Sequence, residues 1–123
     1  MTILQAVEQI DELVHNTYSQ EQKIGWLSDL DAMVKEQVID THVGSEEVIF
    51  TGYDGDTPMD TVLLIPSPYE EVYLHYLEGK ICYYNGEQGK YNQAMEQHKA
   101  VLRAFVNHYN ATHMAKGQRL RYF

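Results

Sequence analysis

The chain has 123 residues, 44% of them hydrophobic and 22% charged, and it carries a formal net charge of −9. This length and composition predict one domain with its own core, and the acidic balance disfavours sequence-specific DNA binding because acidic surfaces repel phosphates. No apolar run approaches the roughly 20 residues of a membrane-spanning helix, and no basic and apolar leader begins the chain, so neither a membrane span nor a signal peptide is predicted.

Two helices are predicted in the first forty residues. Thr2 is suited to cap the first, whose apolar residues recur every three or four positions until about His15. Ser19 and Gln22 have the spacing of a capping box at the start of the second, which we expect to run to about Asp40.

Trp26 and Met33 lie beside the apolar stripe of the second predicted helix. Large apolar side chains outside the main stripe indicate a second contact. We favour packing on the segment 43–66, and contact with another subunit is the alternative.

In the segment 43–66 the spacing of apolar residues changes from a helical period to the alternation typical of β-strands. Residues 47–51 and 61–65 are β-prone, and the stretch between them, which contains Tyr53, is dense in turn formers. We expect a small β-hairpin or an extended loop between the second and third helices. Since an isolated hairpin is marginal in water, it must pack on the helices or pair with a neighbouring chain. We expect it to be the most mobile part of a free subunit, and Tyr53 is a candidate contact residue.

Acidic residues are concentrated in this segment. The candidates for an acidic loop or channel lining are Glu46, Glu47, Asp54, Asp56 and Asp60. The last three have the spacing of the first ligands of a calcium loop, but Met59 and Ile65 replace the glycine and glutamate that such a loop requires. A turn with solvated carboxylates is therefore predicted, without a metal site.

A pair of antiparallel helices is predicted next. Ser67 and Pro68 suit the cap and first turn of the third helix, which should end at Asn85-Gly86. The fourth helix should begin near Glu87 and bury its apolar stripe against the third. That stripe comprises Tyr91, Ala94, Met95, His98, Val101, Leu102, Phe105 and Tyr109. His98 is then most simply a core histidine.

Seven of the ten tyrosines lie on these two predicted helices, at positions 69, 73, 76, 83, 84, 91 and 109. Tyrosine buries a large ring while its hydroxyl stays hydrated, so this pair can serve a core and an interface together. The single cysteine, Cys82, sits among them without the surroundings of a nucleophilic thiol, and we expect a half-buried helix residue.

We expect residues 1–113 to form the domain and residues 114–123 a mobile, basic tail. Lys116, Arg119, Arg121, Tyr122 and Phe123 are candidates for contact with the acidic middle of a neighbouring subunit. The alternative is a disordered end without a role.

The stretch from Leu63 to His113 reads LLIPSPYEEVYLHYLEGKICYYNGEQGKYNQAMEQHKAVLRAFVNHYNATH. It resembles head–tail connector (adaptor, or head-completion) proteins of tailed phages. Prophages of Gram-positive bacteria encode such proteins among their head and neck genes. The resemblance extends over 18–113 and is one of pattern, without a catalytic signature. It implies a virion protein, assembled in the cytoplasm of the bacterial host. It further implies a homo-oligomeric ring, expected to be twelvefold, although the isolated subunit can be a monomer. This ring contacts the portal protein and the neck or tail proteins. DNA passes through it as non-specific cargo.

The fold predicted is all-α, a four-helix bundle-like domain with the hairpin or loop described above. No constellation of residues indicates an enzyme, and no cofactor is expected. Two other functions stay open, namely another neck or tail-completion protein, and an acidic regulatory module that binds a basic partner.

Overall fold

The structure is a computed structural model in which residues 1–116 are described. Most of these residues are helical, which confirms the predicted class. The four α-helices of the described chain are α1 (Ile3–Leu13), α2 (Gln20–Gln37), α3 (Glu71–Tyr84) and α4 (Gln88–Thr112). Two short 3₁₀ helices, Ile39–Thr41 and Ser45–Glu47, follow α2.

The predicted cap at Thr2 and the predicted capping box at Ser19 are both present, and the first is also a full capping box. The Thr2 hydroxyl accepts a hydrogen bond from the Gln5 N–H, and the Gln5 side chain accepts one from the Thr2 N–H. Ser19 and Gln22 make the same reciprocal pair at the start of α2. Each box satisfies two of the backbone donors that a helix start leaves without partners.

The predicted start of α3 is wrong by three residues. Ser67 does not cap the helix, because it lies in a separate turn in which the Tyr69 N–H donates to Pro66 O. The helix begins at Glu71 without a side-chain cap. Glu70 forms an ion pair with the amino group of Met1.

The predicted β-hairpin is also wrong, since residues 1–116 contain isolated β-bridges but no strand. The chain before α3 pairs with the N-terminus of the protein. Ile3 N–H donates to Thr61 O and Leu4 N–H to Met59 O, each at 3.0 Å, and Leu63 N–H donates to Met1 O at 2.9 Å. The first amides of α1 need acceptors outside their helix, and this segment supplies them.

The α3 and α4 helices pack against each other as antiparallel neighbours, as predicted. Gly86, with φ of +75°, makes the turn between them. Gly79 permits their close approach, since a Cβ there would lie 2.6 Å from the Met95 sulfur. Of the predicted stripe, Phe105 and His98 are buried, whereas Tyr91 and Leu102 are only half-buried.

One core joins the helices and the segment before α3. Its side chains of lowest exposure include Ile3, Ile10, Ile24, Leu27, Leu30, Ile65, Tyr73, Leu77 and Ile81. Because Leu63 and Ile65 belong to this core, the end of the segment 43–66 is part of the fold.

This packing predicts slow amide exchange at Leu63, Leu64 and Ile65, each of which donates a hydrogen bond. The amides of 49–52 donate none to residues 1–116 and should exchange rapidly. Residue-resolved hydrogen exchange on a demonstrated monomer measures both sets. Equally fast exchange would show that the segment detaches as one unit.

Candidate functional site

A buried carboxylate organises the segment before α3. Asp31, on α2, is fully buried, and its Oδ1 accepts a hydrogen bond of 2.6 Å from the Tyr73 hydroxyl. Its Oδ2 accepts one of 2.6 Å from the Tyr53 hydroxyl and one of 3.0 Å from the Leu64 N–H. The Tyr73 oxygen in turn accepts from the Ile65 N–H at 2.7 Å. Three parts of the chain therefore meet at one side chain.

Burial raises the pKa of Asp31, and the hydrogen bonds from Tyr53, Tyr73 and Leu64 oppose that rise. Burial and the neighbouring carboxylate also raise the pKa of both tyrosine hydroxyls. Each hydroxyl thus stays protonated and donates. The arrangement holds backbone in place and presents no group to a substrate, so we assign it a structural role.

Two of the predicted contact residues on the helical body pack within their own chain. Trp26 is 8% exposed and stacks on the Tyr84 ring at 5.8 Å, and Met33 is half-buried against the core. Tyr53, also half-buried, donates its hydroxyl to Asp31. These contacts within the subunit explain why large apolar or aromatic side chains occur at all three positions. That the three residues also contact another subunit stays a prediction.

The predicted acidic residues are all on the surface. Glu46, Glu47, Asp54, Asp56 and Asp60 are exposed. Asp54 shapes its own loop, since its carboxylate accepts from the Asp56 N–H at 2.9 Å and from the Thr57 hydroxyl at 3.2 Å. This is the turn with solvated carboxylates that the sequence indicated.

The turn between α3 and α4 exposes a group of aromatic side chains that we call the tyrosine surface. It is formed by Tyr76, Lys80, Tyr83, Tyr84, Tyr91 and Met95, around a groove of about 390 Å³. Tyr83 and Tyr84 are 58% and 56% exposed. Tyr84 stacks on Trp26 and Tyr83 contacts Tyr84 edge-on, and these contacts order the rings before any partner binds.

The end of the described chain is attached to the body. Val43 N–H donates to Met114 O and Lys116 N–H to Thr41 O, so residues 114–116 pair antiparallel with 41–43. The buried His42 ring contacts Tyr109 edge-on at 4.8 Å and its Nε2 lies 2.8 Å from Asn110 Oδ1. The first three residues of the predicted tail thus belong with the domain, and Lys116 is exposed.

The remaining candidates, Arg119, Arg121, Tyr122 and Phe123, lie outside the described residues. Residues 1–116 contain no cluster of three side chains that could hold a metal ion. Burial raises the pKa of the Cys82 thiol, which disfavours the reactive thiolate. None of the helices in the described range is apolar and long enough to cross a membrane.

Comparison with protein-family models, with curated proteins and with solved structures finds no match for this chain.

Proposed function

We propose that the chain is a head–tail connector (adaptor, or head-completion) protein of a tailed phage. Its subunits assemble in the bacterial cytoplasm into a ring, expected to be twelvefold, that sits on the portal protein and extends the DNA channel. In the virion it offers a platform for the next neck or tail protein. It has no enzymatic role, and DNA passes through it as non-specific cargo.

The tyrosine surface is the observation that carries this proposal. Exposed, pre-ordered aromatic rings are enriched where proteins bind each other, because they bury much area at little entropic cost. A second copy of the chain is the occupant that a ring requires. A bundle-like arrangement of four helices suits subunits that pack side by side, and the tyrosine surface then forms one side of each subunit contact.

The exposed acids support a second part of the proposal. Asp54, Asp56 and Asp60 follow one another on the same exposed stretch, and Glu46 and Glu47 are also solvated. A ring that presents such a stretch to its lumen repels phosphates, so DNA slides through without binding.

The same acids also suit the acidic regulatory module that remains the second candidate. Such a module binds one basic partner through exposed charges, and its binding falls steeply as salt rises. A ring held by aromatic contacts depends much less on salt.

Association of the purified chain with itself and with its portal protein tests the proposal. Tyr83→Glu introduces a charge into the tyrosine surface and should weaken ring formation at least about tenfold, as expected for loss of a central aromatic contact. Mass photometry at several salt concentrations measures the oligomer distribution.

The control is Val62→Glu, which adds the same charge at a side chain that is 66% exposed elsewhere in the chain. It should leave association unchanged. If both variants assemble like the wild type, the tyrosine surface is not the subunit contact. If neither the wild type nor its mixture with portal assembles, while a basic partner binds in a salt-sensitive way, the regulatory candidate replaces the connector.

A further inference from the structure

Residues 48–51 form an extended stretch on the surface of the protein, which we call the open segment. Val48 has φ of −95° and ψ of 109°, and residues 49–51 belong to no helix or turn. Burial alternates along the stretch, because Val48 and Phe50 are half-buried whereas Ile49 and Thr51 are exposed. This two-residue period is that of a β-strand with one face on a core and the other in solvent.

Both ends of the open segment are fixed. The Val48 N–H donates to Ser45 O at 3.1 Å in the 3₁₀ helix before it, and Gly52, with φ of +91°, ends it. The next residue, Tyr53, donates its N–H to the Ser28 hydroxyl of α2 at 3.0 Å. The backbone is therefore anchored on each side before a partner binds, which lowers the entropic cost of binding.

The backbone of the open segment is unpaired within residues 1–116. The N–H groups of 49–52 donate no hydrogen bond to that part of the chain, and the carbonyl groups of 48–52 accept none from it. Unpaired peptide groups on an extended stretch are a template to which another strand can pair. Ile49 adds an apolar side chain that is 82% exposed. An extended peptide beside the open segment would satisfy the peptide groups and cover this side chain.

The charges around the open segment are acidic. Glu46 and Glu47 precede it and Asp54 follows it. All three are exposed and form no ion pair with residues 1–116. Glu21 of α2 lies beside the same loop, since a Cβ at Gly55 would be 3.4 Å from its Oε1. The two ends of the open segment are therefore both negatively charged.

This charge distribution selects the occupant. If two copies of the chain paired antiparallel through their open segments, Glu46 and Glu47 of one would lie close to Asp54 of the other. Parallel pairing would bring each acid against its own counterpart, and like charges opposite each other destabilise a strand pair. The neighbouring base Lys35 does not offset these acids, since it already pairs with Asp40. A strand with basic residues at both ends instead meets acids at both ends.

We propose that the open segment binds an extended, β-prone segment of a partner protein that carries lysine or arginine at both ends. Backbone hydrogen bonds and contact with Ile49 supply most of the affinity, since exposed ion pairs contribute little each. The charges set the position of the partner and speed its approach. The open segment shares no residue with the tyrosine surface, and the inference does not depend on connector function.

A synthetic peptide of alternating valine and threonine, with four such residues between two pairs of lysines, tests the proposal. NMR titration of the full-length chain with this peptide should shift the amide signals of residues 49–51 and slow the exchange of at least one of them with water. The amides of Leu63 and Ile65, which are already hydrogen-bonded, should stay unchanged. No change at 49–51 would overturn the proposal, even if the peptide bound elsewhere on the acidic chain.

Two altered peptides separate backbone pairing from the attraction of charges. The same peptide with its four central amides N-methylated keeps its charges and side chains but cannot donate from those amides. It should bind at least about tenfold more weakly, because two or more hydrogen bonds are lost. The peptide with glutamates in place of the lysines should also bind at least about tenfold more weakly at low salt. Equal affinity of either altered peptide would overturn the proposal, the first for strand pairing and the second for a basic partner.

A substitution in the protein locates the contact. Ile49→Lys removes the exposed apolar side chain and introduces a base that repels the peptide, so the affinity should fall at least about fivefold. The control Val62→Lys makes a matched change at a side chain that is 66% exposed, in a residue that pairs with Thr2, and should bind like the wild type. Far-UV circular dichroism confirms that both variants are folded.

Equal affinities of the two variants would overturn the proposal. Mass photometry without peptide supplies the last comparison. Self-association that is lost with Ile49→Lys and kept with Val62→Lys would also overturn it, because the occupant of the open segment would then be a second copy of the chain.

Discussion

Replacement of Asp31 by alanine should lower the free energy of unfolding by about 3–5 kcal/mol, because three donors lose their acceptor and each buried donor left unsatisfied costs about 1–3 kcal/mol. The substitution leaves two tyrosine hydroxyls and the Leu64 N–H without their acceptor. It also releases the segment before α3 from α2. Urea unfolding followed by circular dichroism measures the loss, and Asp29→Ala, at an exposed position of the same helix, should change stability by less than about 0.5 kcal/mol.

The Asp31→Asn variant should lose less, about 1–3 kcal/mol, because its amide oxygen can still accept from Leu64 N–H. Burial raises the pKa of Asp31 above its unfolded value. Such a group stabilises the fold increasingly as pH falls through the raised pKa, and this contribution is lost as pH rises. Since asparagine does not titrate, wild type and variant should differ more at about pH 4 than at about pH 7. The opposite trend would show that the hydrogen bonds outweigh burial at this site.

Replacement of Phe105 by alanine should cost about 3–5 kcal/mol, as for other buried phenyl groups. Phe105 is 2% exposed, and its ring contacts those of Tyr69 at 5.8 Å and Tyr109 at 5.7 Å. Its loss leaves a cavity between α4 and the turn before α3, which the aromatic neighbours can fill only in part. Denaturant unfolding measures the change.

Leu102→Ala is the matched comparison on the same helix. Because Leu102 is half-buried, its truncation should cost clearly less than that of Phe105. Equal losses would mean that α4 is rotated relative to the packing described above. A loss of under about 1 kcal/mol for Phe105→Ala would contradict its burial.

Local rules predicted most of the helices. Thr2 with Gln5 and Ser19 with Gln22 are contacts between residues three apart, so their type and spacing suffice to place a helix start. Gly86 likewise marks the turn between α3 and α4 by its own conformational freedom. The predicted cap at Ser67 failed because the chain makes a separate turn before α3.

The features that the sequence did not predict depend on contacts between residues far apart in the chain. The β-prone residues near Thr61 pair with the N-terminus, about sixty positions earlier, and not with each other. Asp31 finds its tyrosine partners 22 and 42 positions along the chain. One signal was present, since Asp31 stands four residues after Leu27 and three before Val34, on the apolar face of α2. A carboxylate at a core position indicates a buried polar network.

The tyrosine surface, too, could be predicted only in part from the sequence. The abundance of tyrosine on α3 and α4 is visible in the sequence, but which rings face solvent depends on tertiary packing. Tyr73 is fully buried, whereas Tyr83 and Tyr84 are exposed. Trp26, which periodicity placed off the main stripe, is covered by Tyr84. The position of a residue on a helix therefore gives its face, and the neighbouring helices decide whether that face is free.

The most direct test of the proposed connector function is electron microscopy of the full-length chain mixed with its portal protein. We expect class averages with a ring of added density on the portal, coaxial with its channel, and the same ring should weaken or vanish with Tyr83→Glu. Averages that show the portal alone, at concentrations where the chain is folded and in excess, would contradict the proposal.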